Sequence, residues 1–381
     1  PFHDLGSSLD WDQALSRLPH GSTPVGIMYL NLGQWQPWIS YLLRSARTNE
    51  QCTFYFLGAP LDVRFCVNCA WLPLDQAVLL ERMRLHLNIS RTSIDSQKMN
   101  DLKPVSAALF PELTARHQWI GYSDPDVLLG NLSAEIALLR PSDDLLVPLE
   151  RYPQPLANGN LLLMRSTPKM VHAFRRNPAW REVMTNRLLD VFDEWRDGDF
   201  GVHESRLGRA SPRCERYTSA RPKPYCPSMY VTYQDMMLAG ELRAQPARHL
   251  LVQDTVIIPG GIYPTIDSHG AQVSFHWRNG ALVAHRRGPC LCAADIVPQF
   301  GISTCAKCLT HRGALLKDVR TSRGPLEVLG LHFQEWKKRW RRSEYRLLST
   351  HQGSRPAGVT DPVPTCNRES NFDVGPKGFV C

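Results

Sequence analysis

Two aspartates one residue apart, Asp124 and Asp126, stand where an apolar run breaks off in "WIGYSDPDVLLGNLSAEI", residues 119–136. Trp119, Ile120 and Tyr122 read as the end of a buried strand, and Val127-Leu128-Leu129 resumes the apolar character directly afterwards. A bare carboxylate at the edge of a core is costly unless a cation or a set of donors compensates it. Residues two apart at a strand end point the same way, so both carboxylates could face one cation, with Pro125 stiffening the turn between them. Hard divalent ions such as Mg2+ or Mn2+ take oxygen ligands and complete their shell with substrate phosphates. An ion held there would neutralise a leaving diphosphate as a Lewis acid. The competing reading is plain turn chemistry, with Asp124 capping the turn and Asp126 the helix near Leu132. An isolated Asp-x-Asp is mostly that.

The elements around the pair decide between these readings. "PVGIMYLNL" (24–32) is an apolar strand, and "QPWISYLLRSARTN" (36–49) a helix with Trp38, Tyr41, Leu42 and Ser45 on one face. "CTFYFLGAP" (52–60) and "VRFCVNCAWL" read as two more strands, and "LDQAVLLERMRLHL" (74–87) has apolar residues at helical spacing. Further on, "LSAEIALLR" reads as a helix, "DLLVPLE" and "NLLLMRST" as strands, and Val171–Phe174 and Arg181–Val191 as helices. The pattern "AQVSFHWRNGALVAHRRG" (271–288) alternates about Asn279-Gly280, a strong hairpin signal. Strands alternating with helices predict an α/β layered domain. In open α/β sheets ligands collect beyond the carboxyl ends of strands, which is where the two aspartates are expected. No internal repeat is present.

The chain has 381 residues, 43% of them hydrophobic, enough for a sizeable core. Its formal charge of +8 is a mild excess that suits anionic substrates such as nucleotide diphosphates. The charge is too diffuse for nucleic acid, and no aromatic-basic repeat accompanies it. No window approaches the length of a membrane span. The chain begins at Pro1, from which a removed N-terminal leader or anchor is expected.

Eleven cysteines and two Asn-x-Ser sequons, at Asn88 and Asn131, favour an oxidising compartment with most cysteines in disulfides. The odd total leaves at least one thiol free or paired outside the chain. In "CLCAADIVPQFGISTCAKC", Cys290, Cys292, Cys305 and Cys308 offer four thiolates, so a zinc staple is the alternative there. The Cys-x-Cys spacing of the first pair favours disulfides over zinc. The basic, Pro- and Ser-rich stretch 205–227 reads as a surface loop pinned by Cys214 and Cys226. The stretch from Ser349 reads as an extended tail tied by Cys366 or Cys381.

The segment "WIGYSDPDVLLGNL" resembles the Trp-x-Tyr-x-Asp-x-Asp-Val-x-x-Gly motif of a family of GT-A-like glycosyltransferases, mostly microbial and long known only as a domain of unknown function. The likeness extends in order over roughly residues 25 to 340. It takes in "YLNLGQWQPWISYLLRSARTNEQCTFYFLG", "MNDLKPVSAALFPEL", "LANGNLLLMRSTPKM", "VFDEW", "FHWRNGALVAH" and "LGLHFQEWKK". Where the family often has a His in its Gly-x-x-x-Leu segment, this chain has "NGN". The loops at 205–227 and Cys290–Cys308 have no counterpart in it.

The resemblance implies a GT-A-like, Rossmann-like mixed central sheet flanked by helices, with cysteine-stapled insertions about 205–227 and 289–312. The implied domain covers 24–348, between an N-terminal extension (1–23) and a C-terminal tail (349–381). It implies a metal-dependent transfer of a sugar from a nucleotide-sugar donor to a glycan or glycoprotein hydroxyl. Asp124 would lie near the donor and metal, Asp126 would bind the metal directly, and His332 would be its third protein ligand. That donor set suits Mn2+, or Mg2+. Lys103, Asp101 and Lys337 or Lys338 are candidates for diphosphate contacts, with Asp101 as a helix cap the alternative. Asp193 and Glu194 in "VFDEW" are the candidates for a general base, and Asp235 is a second choice. The alternative for the pair is an ion pair with Arg187 or Arg196. The expected location is the secretory pathway, in the Golgi lumen, or outside the cell. The alternative function is a catalytically inactive, secreted structural or glycan-binding protein that retains the fold.

Overall fold

A computed structural model describes residues 11–16, 23–149 apart from 37 and 97, 159–187, 190, 192–193, 228–253, 255–258, 261–264, 272–278, 280–287, 326–328, 330–332, 372–375 and 378–380. Its strands are β1 (Val25–Asn31), β2 (Cys52–Gly58), β3 (Cys69–Pro73), β4 (Trp119–Ser123), β5 (Val127–Leu129), β6 (Leu145–Leu149), β7 (Leu161–Arg165) and β8 (Ala244–Gln253). After them come β9 (Thr255–Ile258), β10 (Gly261–Pro264), β11 (Gln272–Arg278), β12 (Ala281–Arg287), β13 (Leu326–Val328), β14 (Gly330–His332), β15 (Phe372–Gly375) and β16 (Gly378–Val380). The main sheet runs β3-β2-β1-β4-β7-β6-β8-β14-β5. The first four strands are parallel, β7 is antiparallel to both β4 and β6, and β14 pairs parallel with β8 but antiparallel with β5. This is the α/β class that the alternating pattern predicts, with the mixed sheet flanked by helices that the resemblance implies.

The strands read as unbroken apolar runs because both faces of the sheet are covered. Alternate residues of β1 divide between two cores: Met28 and Leu30 join Tyr55, Ile120, Tyr122 and Leu162 on one face. Ile27 and Tyr29 join Phe54, Phe56, Trp119 and Leu163 on the other. Tyr29 and Phe56 stack across β1 and β2 with ring centroids 4.8 Å apart. Gly121 lets β4 and β7 close, since a Cβ there would come 2.1 Å from the Leu162 carbonyl oxygen.

Helix Ile39–Arg47 buries Tyr41, Leu42 and Ser45 as its apolar face predicts. The pattern at 74–87 becomes helix Gln76–Arg82, capped by Asp75 Oδ1 accepting from the Val78 N–H (2.8 Å), and continues as a π turn over Met83–Leu87. The expected helix 181–191 is instead Trp180–Thr185 and stops at Asn186, whose backbone is extended. The expected hairpin about Asn279-Gly280 forms, with Arg278 paired opposite Ala281 and Gly280 at φ +87°. Residues 372–375 and 378–380 of the expected tail are strands in a second sheet, β13-β12-β11-β15-β16. Trp11, in the expected N-terminal extension, stacks on Phe110 and donates to Glu112. Cys66 and Cys69 form a disulfide, and Cys52 is a buried free thiol. The loops at 205–227 and Cys290–Cys308, with Cys366 and Cys381, lie outside the described residues. Among the described residues no helix is long and apolar enough to cross a membrane.

At the amino ends of the strands, His117 is buried against Gly26 and bonded at both nitrogens. Its Nδ1–H donates to the Thr23 carbonyl (2.8 Å), so Nε2 accepts from the Tyr55 hydroxyl (2.7 Å). Burial holds its pKa below the ordinary value, against the pull of the Thr23 carbonyl. On acidification the unfolded chain therefore takes up this proton first. The stability contribution is full above the ordinary histidine pKa of about 6.5 and declines as pH falls from there toward the lower folded value. Urea denaturation across this window should show stability rising with pH, and His117→Gln should flatten the slope. An unchanged slope in the variant would remove His117 as its source.

Candidate functional site

The parallel strands place β1 and β4 side by side with β2 and β3 beyond β1, so connections leave in opposite directions at the β1–β4 junction. Such a switch point opens a crevice at the carboxyl ends of the strands. β4 ends there at Ser123, and the Asp124-Pro125-Asp126 turn follows. The turn closes when the Val127 N–H donates to the Asp124 carbonyl (3.1 Å) and β5 begins. It is anchored from outside as well. The Asp124 N–H and the Ser123 hydroxyl both donate to the Asn160 carbonyl (2.9 and 3.0 Å), and the Trp38 indole donates to the Pro125 carbonyl (3.0 Å).

What compensates the Asp124 carboxylate is an internal ammonium. Lys103 Nζ lies 2.5 Å from Asp124 Oδ1 and 2.5 Å from Asp193 Oδ2, and donates to the Gly159 carbonyl at 3.2 Å. An ammonium has three N–H groups, and these three acceptors match them. Lys103 is therefore an internal bridge between these segments. The Asp193 side chain is buried against Lys103.

A second buried ammonium continues the network. Lys98, fully buried, pairs with Asp101 (2.7 Å) and Asp190 (3.0 Å). The Asp101 carboxylate also accepts the backbone N–H groups of Asp190 (2.8 Å) and Phe192 (2.7 Å). Asp101 has no accessible surface, and its carboxylate binds this backbone. Burial raises its carboxyl above the ordinary value, while Lys98 and the two amides pull the other way. The bonds also explain the short helix before it. The N–H groups of Asp190 and Phe192 go to a carboxylate, which holds the segment off the helical path. Lys98 and Asp190 went unnoticed in the sequence. The available signal was spacing: Lys98-x-x-Asp101-x-Lys103 faces Asp190-x-x-Asp193.

Asp126 is buried, with 4% of its surface accessible, immediately before β5. β14 brings the backbone of His332 opposite Val127, one residue from Asp126, although 206 positions of sequence separate the two. Glu194, Lys337 and Lys338 lie outside the described residues. Among the described residues no three His, Cys, Asp or Glu side chains form a group that could hold a metal ion. Asp235 lies on helix Met229–Leu238, partly buried. Asn88 and Asn131 are both exposed: Asn88 ends the π turn in the left-handed conformation, and Asn131 caps helix Leu132–Ile136 through the Ala134 N–H (3.1 Å).

Removing one partner of a buried pair strands the other charge. Lys98→Met should cost about 3–5 kcal/mol, read by urea denaturation. Lys98→Met/Asp190→Asn should cost less than the sum of the two single changes, because the pair is coupled. A Lys98→Met protein within about 1 kcal/mol of wild type would refute the buried pairing of Lys98 with Asp101 and Asp190, since exposed pairs cost no more than that.

Against known proteins, residues 27–287 match the model of a family of unknown function, DUF6625. No curated protein matches the chain. Among solved structures, apo mouse xyloside xylosyltransferase 1 is similar at 13% identity with a TM-score of 0.27, over 42% of this chain and 70% of that one. The glycosyltransferase GlyE of Streptococcus pneumoniae TIGR4 is similar in two structures. Its apo form matches at 12% identity and TM-score 0.24, over 58% of this chain and 44% of that one. A second GlyE structure matches at 8% identity and TM-score 0.27, over 61% and 68%.

Proposed function

This chain belongs to the DUF6625 family, and we propose that it is a glycosyltransferase that moves a sugar from a nucleotide-diphosphate donor to a hydroxyl of a glycan or glycoprotein. The observation that carries the reading is the Asp124-Pro125-Asp126 turn at the carboxyl end of β4, at the switch point of the sheet, with His332 paired opposite Val127. The ordered resemblance of the flanking segments to GT-A-like glycosyltransferases supports it.

The donor chemistry fits a divalent ion, Mn2+ or Mg2+. Among the described residues, the buried ion pairs bring two ammoniums, Lys98 and Lys103, together with four carboxylates, Asp101, Asp124, Asp190 and Asp193. Asp126 and His332 would hold the ion, which supplies Lewis-acid stabilisation to the departing diphosphate. The protein's own part is positional. The crevice orients the donor, and Lys103 fixes Asp124 so that the turn does not reorganise as charge develops. Of the carboxylates in Phe192-Asp193-Glu194, we assign the acceptor proton to Glu194, because Asp193 is committed to Lys103. In this reading the sequons at Asn88 and Asn131 belong to a protein of the secretory pathway, in the Golgi lumen or outside the cell.

Nucleotide release from a panel of nucleotide sugars, with and without Mn2+, tests the proposal. Release should require the ion, and Asp126→Asn should lower kcat/KM by about a hundredfold or more while the melting temperature holds. Full turnover in metal-stripped protein would rule out the metal role. Glycan binding without release from any donor would favour the non-catalytic alternative.

A further inference from the structure

Lys103 sits in an unusual position for a lysine. It is 95% shielded from solvent and lies between two carboxylates from distant segments, each with an oxygen 2.5 Å from its nitrogen. Asp124 belongs to the turn after β4, and Asp193 to the segment that Asp101 and Lys98 hold in place. Two carboxylates facing across so small a gap would repel strongly without a cation between them, and a divalent ion with oxygen ligands would suit the gap as well as an ammonium. The Gly159 carbonyl, the third acceptor of Lys103, would add a neutral oxygen to such a set.

We propose that Lys103 is a built-in counter-ion that occupies a latent divalent-cation position between Asp124 and Asp193, and so withholds Asp124 from the metal. Lys103 is thus a positioning residue: it fixes the first aspartate of the Asp-x-Asp turn by an internal ion pair, whatever happens at Asp126. The role follows from the geometry of three acceptors around one ammonium and does not depend on the transferase reading.

Calorimetric titration of the purified full chain with Mn2+ tests this, with wild type compared to Lys103→Met. The variant should bind about one equivalent more Mn2+ than wild type, since a paired carboxylate site takes a hard cation. It should melt below wild type without the ion and recover when the ion is added. Lys103→Arg, which keeps the charge, should show no added equivalent. Asp193→Asn placed in the Lys103→Met background should abolish the added equivalent. If Lys103→Met does not fold, Lys103→Gln carries the same titration, because its amide keeps hydrogen bonds while removing the charge. Equal stoichiometry and affinity in wild type and the charge-removing variant would overturn the proposal. The readout is a difference between proteins, so a wild type that binds no ion sinks the metal reading and leaves this one standing on the variant alone.

Discussion

Two lysines five positions apart, Lys98 and Lys103, are buried with four aspartates around them, and the arrangement of the site follows from satisfying those charges. Buried ions are tolerated only when their partners approach closely and the remaining donors find acceptors. Here that requirement fixes three pieces of chain against one another: the short helical stretch from Lys98 to Lys103, the Asp124-Pro125-Asp126 turn, and the segment ending at Asp193. A replacement of well-packed apolar residues could match the stability of such a network. What the charges add is geometry, because an ammonium with three acceptors tolerates little displacement of any of them.

The sheet provides the place where this geometry can matter. Parallel pairing of β1 with both β2 and β4 puts the switch point at the carboxyl end of β4, and Gly121 permits the close approach of β7 that delivers the Asn160 carbonyl to Ser123 and Asp124. The antiparallel pairing of β14 with β5 then returns a late part of the chain, ending at His332, to the same corner. The turn is held from beneath by Lys103 and from the side by Trp38, while β5 and β14 extend from it.

Reading the site residues in place changes what several of them are for. Asp101, Lys103 and Asp193 are of the types that bind phosphate or move protons, and each is instead bonded to the others' segments. Burial and pairing separated these residues from their neighbours; residue type did not.

The sequence by itself determined the layered α/β class, the strand that ends at Ser123, the position of the acidic turn, the helix Ile39–Arg47 and the hairpin about Gly280. These are local matters, fixed by apolar periodicity and by turn residues within a few positions of one another. The tertiary structure alone decided which cation meets Asp124, where the helix after Trp180 stops, and what Asp101 and Asp193 do. Lys98 and its partner Asp190 are 92 positions apart, and Lys103 and Asp124 are 21 apart. No periodicity records a contact at such a distance. The charges can be counted along the chain, but the cost of burying them, and the partners that offset it, exist only once the segments are packed together.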